Sequence, residues 1–239
     1  MMSSGTEKSV GLRLKDRKYN KDNAMNNLSF EYEDAILSED ENAVICGVDE
    51  AGRGPLAGRV YAAAVIFPRH GAEELMSLID DSKKLSPKKR DILAERIRRE
   101  AVAYSVAFSE ADEIESTNIL AATLHAMRRA IEGLPVKATH ALIDGNINRG
   151  FDKVGVAARA VIGGDAISPS IAAASILAKT ERDRYCVETL AALYPEYGFE
   201  KHKGYGTSAH YAAVDKYGLC PEHRKSFFKK HFAEKDGAK

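Results

Sequence analysis

Residues 47–58 read Gly47-Val48-Asp49-Glu50-Ala51-Gly52-Arg53-Gly54-Pro55-Leu56-Ala57-Gly58. Two carboxylates end an apolar strand here, and a glycine-rich turn follows at once. Gly52, Gly54 and Ala57 fit the loose spacing of a dinucleotide-binding loop. Such a loop, however, hands the chain to a helix whose N-terminus cradles pyrophosphate, whereas residues 60–67, VYAAAVIF, have the character of a second strand. Two acids directly before the loop would also repel phosphates. The simplest alternative is a polar hairpin with a solvent-exposed Asp-Glu pair.

Working outward, further short apolar runs are bounded by Gly, Pro or charge: AVAYSVAF at 101–108, HALIDG at 140–145 and VGVAARAVI at 154–162. With residues 43–50 and 60–67 they make five strands, several of them buried on both faces. Helical patterns lie between them. One opens at Ser86-Pro87, a cap residue followed by proline at the first helical position, with Leu93 and Ile97 on one face. A second follows Asn118, where Leu120, Leu124, Met127 and Ile131 form one stripe that Gly133 ends. A third starts near Ser168-Pro169 and runs towards Leu193, its alanine-rich first turns allowing a neighbour to approach closely. The order of these elements implies an α/β fold, a mixed five-stranded sheet flanked by helices.

Residues 1–42 mix Lys, Asp, Asn, Ser and Glu with few aliphatics, which predicts a solvated N-terminal tail. The 239 residues are 44% hydrophobic and 29% charged, enough for one sizeable core, and 35 basic residues balance 35 acidic ones. Any surface for a polyanion must therefore be local. Three cysteines, Cys46, Cys186 and Cys220, form no C-x-x-C pair, which disfavours a disulfide framework and a zinc ribbon. No apolar run reaches the length of a membrane span, so a cytoplasmic protein is expected.

The acids at 49 and 50 are not isolated. Asp144, in Leu142-Ile143-Asp144-Gly145-Asn146, and Asp165, in Gly163-Gly164-Asp165, also follow apolar strands. Singly each could be a turn or cap residue. Together they suit a hard cation, magnesium or manganese, because oxygen ligands without Cys or His select such metals. The scattered histidines, His125 and His140 among them, suit structural roles. Basic residues cluster at 81–90, at 201–207 and at 224–231. These are either phosphate-binding patches or solvated helix faces. Tyr205, between glycines on a basic loop, is a candidate stacking platform or a ring packed over its own loop.

In this order GVDEAGRGPLAG, DSKKLS, TNILAATLHAMRRA, LIDGN, GGD, IAAASILAKTERDRY and HKGYGTSAH resemble bacterial ribonuclease HII, a type 2 ribonuclease H, over about Val44 to Tyr217. The resemblance implies a ribonuclease-H-like catalytic domain over residues 43–197 and a basic helical C-terminal extension packed on it over 198–239. It implies hydrolysis of RNA strands paired to DNA, and nicking of duplex DNA 5′ of embedded ribonucleotides to leave 5′-phosphate and 3′-hydroxyl ends. It also puts the catalytic metal ligands on Asp49, Glu50, Asp144 and Asp165, with Mg2+ or Mn2+ as cofactor, two ions being engaged with substrate bound. The loop that reads the 2′-hydroxyl falls on Gly52, Arg53 and Gly54, and the stacking tyrosine on Tyr205. Ser175, Lys179 and either Lys83 or Lys84 fall where phosphate contacts are expected. Many members have Lys-Gly-Asp where this chain has Gly163-Gly164-Asp165, so no basic contact is implied at 163. A monomer acting on RNA–DNA hybrid and ribonucleotide-containing duplex, with no membrane association, is expected. The rival is a non-catalytic hybrid- or duplex-binding module of the same fold, which would have no use for four acids that oppose phosphate when metal-free.

Overall fold

β1 (Ile45–Ala51) and β2 (Val60–Ile66) carry almost no polar residue before the acids, and β2 is buried along its whole length. Strands of this kind need cover on both faces of their sheet. The computed structural model describes residues 28–80 and 86–236. Within them the chain runs α1 (Glu31–Glu39), β1, β2, α2 (Glu73–Asp80), α3 (Pro87–Glu100), β3 (Ala103–Ser109), α4 (Ala111–Ser116) and α5 (Ile119–Glu132). It continues through β4 (His140–Asp144), β5 (Ala157–Val161), α6 (Pro169–Arg184), α7 (Ala191–Leu193), α8 (Phe199–His202), α9 (Ser208–Tyr217) and α10 (Lys229–Asp236). The sheet has the order β3-β2-β1-β4-β5. β1, β2 and β3 are joined antiparallel, and β4 and β5 lie parallel to β1. This is the mixed five-stranded sheet flanked by helices that the sequence predicts.

Alternation along the central strands sends successive side chains to opposite faces. Cys46, Val48, Ala62 and Ala64 pack with Ala126, Met127 and Ala130 of α5, whereas Ala63 and Val65 pack with Ala173 and Leu177 of α6. Gly47 lies on the α6 face. A Cβ there would come within 2.2 Å of the Ser170 carbonyl carbon, so only glycine lets the strand and helix backbones meet. Asn118 caps α5 by accepting from the Ala121 N–H at 2.9 Å, and Ser168 caps α6 from the Ile171 N–H at 3.3 Å. Ser86 precedes Pro87 of α3 in extended conformation but makes no side-chain cap bond. Beyond α6 the helix continues as a π-helical turn, Tyr185–Leu190, into α7. Tyr185 and Leu190 then share one apolar cluster with Leu56, Phe199, Val214 and Phe228. α2 and α4 carry no stripe long enough to stand out in the sequence.

The expectation of a tail over residues 1–42 needs correcting at its end. Residues 28–42 form α1 and its flanks, with Leu28 at 6% exposure and Ile36 at 5%. Ile36 packs with Leu142, Val161 and Ile171. Glu33 is buried too, and the Ser168 hydroxyl donates to its Oε1 at 2.7 Å. Ser29 N–H donates to the Ile167 carbonyl at 2.9 Å. Two aliphatics and a capping acid suffice because the groove beside α6 supplies the rest of the apolar surface.

Truncation of residues 1–41 is therefore expected to destabilise the chain. Burying Leu28 and Ile36 stabilises by about 1.5–3 kcal/mol each, so the melting temperature should fall by about 6–12 °C for a loss near 3 kcal/mol. An unchanged thermal melt would show that α1 adds nothing to the fold.

Candidate active site

Pairing of Val48 with Ile143 places Asp49 and Asp144 one step further on, side by side at the C-terminal ends of two parallel strands. Asp144 pairs with Val161 of β5, and Asp165 follows in the turn Gly164–Ala166. Topology thus gathers the three strand-end acids and Glu50 at one edge of the sheet, the edge where parallel sheets bind ligands.

Neighbouring donors orient the carboxylates. Glu50 N–H donates to Asp49 Oδ1 at 2.7 Å, and Gly164 N–H donates to Asp144 Oδ1 at 2.7 Å. The Ser175 hydroxyl of α6 also hydrogen-bonds Asp49. Gly163, at φ +65, makes the turn into this contact, and a Cβ on Gly164 would meet Ile171 Cδ1 at 2.4 Å. Burial pushes the Asp49 carboxyl well above the usual range, and the charges of Glu50 and Asp144 push it further. Burial raises Glu50 as well, opposed by Arg53, whose Nη1 donates to Glu50 Oε1 at 3.2 Å. Asp144 is raised by burial and then by Asp165. Among the described residues no group of three or more His, Cys, Asp or Glu side chains is gathered tightly enough to hold an ion as placed. The donor chemistry nevertheless fits a hard cation: the cluster is all carboxylate, partly desolvated and mutually repulsive.

Beside the acids lies a cavity of about 310 Å³, lined by residues that include Glu50, Gly52, Arg53, Ser175, Lys179 and Tyr205. Gly54 faces the Tyr205 ring, whose Cε1 lies 3.8 Å from where a Cβ would stand. Tyr205 is 45% exposed, so its ring does not serve as core. Lys179 Nζ lies 5.9 Å from the centre of that ring and donates to Asp183 Oδ1 at 2.7 Å. The cavity thus brings together Glu50, Gly52, Arg53, Ser175, Lys179 and Tyr205, with Gly54 against the tyrosine ring, while Asp49, Asp144 and Asp165 gather at the adjoining strand ends. Lys83 and Lys84 lie outside the described residues.

Two arginines escaped the sequence analysis. Arg182 is 1% exposed, donates from Nη2 to the Lys203 carbonyl at 2.8 Å, and sits so close to Gly52 that a Cβ there would stand 2.3 Å from its Nε. Arg224 is wholly buried, although the basic run 224–231 reads as a phosphate patch. Of the basic residues in that run, Lys225, Lys229 and Lys230 are exposed. The available signal was the spacing of Arg182 from Lys179 along one helix. For Arg224 there was none.

Residues 46–235 match the family model described as ribonuclease HII. The chain is 50% identical over 197 residues to ribonuclease HII of Polaromonas sp., covering 82% of this chain and 94% of that protein. It is 53% identical over 183 residues to ribonuclease HII of Neisseria meningitidis, covering 76% and 90% respectively. Among solved structures, ribonuclease H2 from Pyrococcus horikoshii superposes with a TM-score of 0.63 at 26% identity, over 76% of this chain and 92% of that one.

The raised Asp49 carboxyl implies that its ionised form opposes folding when no cation is present. The folded chain holds the proton more tightly than the unfolded one, so stability is lost as pH rises from the ordinary carboxylate range through the raised value. Asp49→Asn keeps the acceptor for Glu50 N–H and removes the charge. In chelator at pH 7 it should melt a few degrees above the parent, by about 2–4 °C for each kcal/mol recovered. Melting at or below the parent temperature would contradict the electrostatic picture of the cluster.

Proposed function

The chain belongs to the ribonuclease HII family, and from that premise we propose that its carboxylate cluster and adjoining cleft cut the ribonucleotide strand of RNA–DNA hybrids and nick duplex DNA 5′ of an embedded ribonucleotide. It is an endoribonuclease of ribonuclease H type 2, a class that depends on divalent metal and acts on RNA paired to DNA. The observation that carries the finer reading is the shared cavity. One cleft is lined by Glu50, the glycine-flanked Arg53 and the exposed ring of Tyr205, and Asp49, next to Glu50, stands beside Asp144 at the strand ends.

Asp49, Glu50, Asp144 and Asp165 would hold the cation or pair of cations, magnesium or manganese. When bound, these supply the Lewis-acid charge for in-line attack of water on the phosphate and for departure of the 3′-oxygen. The chain's own residues do the rest. Ser175 and the Glu50 N–H fix the rotamer of Asp49, and the Gly164 N–H fixes Asp144. Gly52, at φ +104, and Gly54 carry no side chain, so backbone groups can approach the 2′-hydroxyl, the group that separates RNA from DNA. Tyr205 offers its face to the adjoining deoxyribose, and Lys179, on the helix above, reaches the phosphate backbone. The ends left are 5′-phosphate and 3′-hydroxyl. Among the described residues no helix is long and apolar enough to cross a membrane.

Asp144→Asn should reduce cleavage on the order of a thousandfold or more, while duplex binding without metal is retained or tightened. A nicking assay in magnesium on a duplex with one ribonucleotide checks it, and near-parental turnover would remove the acids from the chemistry. Tyr205→Ala should lose about ten- to hundredfold on that substrate, the value of one stacking contact, and less on a continuous RNA–DNA hybrid. Equal losses on the two substrates, together with a lower melting temperature, would reduce Tyr205 to a brace of its own loop.

A further inference from the structure

Three of the histidines that look scattered in the sequence, His202, His210 and His223, converge in space behind the Tyr205 loop. His210 and His223 are buried, with Nε2 atoms 2.9 Å apart. Cys220 N–H donates to His223 Nδ1 at 2.9 Å, so that nitrogen carries no proton. The Tyr205 carbonyl accepts from His210 Nδ1 at 3.0 Å, so that nitrogen carries one. Both rings are neutral, since burial pulls each down to about 4. One proton order satisfies all three bonds: Cys220 N–H to His223 Nδ1, His223 Nε2–H to His210 Nε2, and His210 Nδ1–H to the Tyr205 carbonyl. His202 stacks on His210 with ring centres 4.4 Å apart, and its Nδ1 accepts from Gly204 N–H at 3.2 Å.

The neighbour of His223 holds the other loop. Arg224 donates to the carbonyls of Gly52, Arg53, Pro55 and Gly58 at 2.7–3.0 Å, so the guanidinium fastens the whole turn between β1 and β2. Backbone bonds from Gly58 N–H to Glu222 and from Arg224 N–H to Leu56, both 2.8 Å, tie the same segment to it. Leu56 N–H reaches the Gly204 carbonyl at 2.8 Å. A Cβ on Gly204 would stand 2.8 Å from the Ala57 carbonyl oxygen. Adjacent residues therefore grip opposite walls of the cleft, Arg224 the glycine-arginine-glycine wall and His223, through His210, the tyrosine wall.

We propose that the turn 220–224 is a positioning element that sets the distance between the Gly52–Gly54 loop and the Tyr205 ring, and thereby the preference for an isolated ribonucleotide over continuous hybrid. The inference rests on the reading of those two loops as the ribose-reading walls. His223 and Arg224 touch no substrate in this account and act through the loops they hold.

The test uses amide replacements that mimic one ring nitrogen at a time. At 223 the group needed by His210 is the Nε2–H, whose place Gln reaches and Asn does not. At 210 the group needed by Tyr205 is the Nδ1–H, whose place Asn reaches and Gln does not. Catalytic efficiency is measured in the full chain on a duplex with one ribonucleotide and on a continuous RNA–DNA hybrid, with thermal melting alongside. His223→Asn and His210→Gln should each lose roughly tenfold on the single ribonucleotide, from one broken buried hydrogen bond, and clearly less on the hybrid. His223→Gln should keep most of the activity, whereas His210→Asn, which keeps the bond to Tyr205 but loses the acceptor for His223, should lose as much as His210→Gln. In a Tyr205→Ala background the damaging variants should cost nothing further on the single ribonucleotide. A merely structural role would make Asn and Gln equally damaging at 223, or lower both substrates alike, and either result overturns the inference. If a variant at 223 fails to fold, the ratio of losses on the two substrates for the variants at 210 decides. If Tyr205→Ala alone affects both substrates equally, the stacking reading falls and the positioning role with it. A selective Tyr205→Ala with additive His223→Asn overturns the positioning role alone.

Discussion

The contact between Gly47 and the first turn of α6 governs the rest of the molecule. With no side chain between them, the β1 backbone lies directly against Ser170 and Ile171. The helix is held there by Ala172, Ala173 and Ala174, all buried. A close-packed interior transmits such a placement along the whole helix, since few voids remain to absorb a shift. Ser175 consequently meets Asp49, and Lys179 and Arg182 pass beside the glycine-arginine-glycine turn. Distances at the acids are thus set by a glycine two residues upstream of the first one.

Electrostatically the site is divided between buried anions and buried cations. The acids at the sheet edge are raised by desolvation and by one another, a cost that a divalent cation offsets. Behind the turn, Arg224 is pulled down to about 9 by burial and by its neighbour Arg182. Burying two guanidinium groups is expensive. Arg224 answers with five hydrogen bonds to carbonyls, whereas Arg182 Nε and Nη1 have no hydrogen-bond partner among the described residues. Carbonyl oxygens of a tight turn cannot bond one another, so a planar donor with a fixed fork suits that place better than lysine would.

The C-terminal segment has a different physical character from the sheet. Its cluster is built from Tyr197, Phe199, Val214 and Phe228 around neutral histidines. Directional bonds from His202, His210 and His223 hold its position against the Tyr205 loop. Lys203 stands at φ +51, a conformation that costs a residue with a Cβ about 1 kcal/mol or more. The bond from Arg182 to its carbonyl and those through the histidines offset that cost.

Local chemistry let the sequence alone determine the five strands, α3, α5 and α6 and the acids at the strand ends: apolar runs must be buried, Asn118 and Ser168 cap, and Gly and Pro interrupt. Family motifs placed Ser175, Lys179 and Tyr205 beside those acids. α1 was not legible, because Leu28 and Ile36 are too few to mark a buried helix until α6 provides a groove for them. Nor were the roles of Arg182, Arg224, His210 and His223, which composition assigns to solvent or to isolated structural positions. Their value lies in carbonyls and ring nitrogens contributed by distant segments, and hydrogen bonds between groups so far apart in the chain exist only once the sheet, α6 and the C-terminal turn have been brought together. Sequence specifies which side chains can donate and accept; only the packed backbone decides which of them meet.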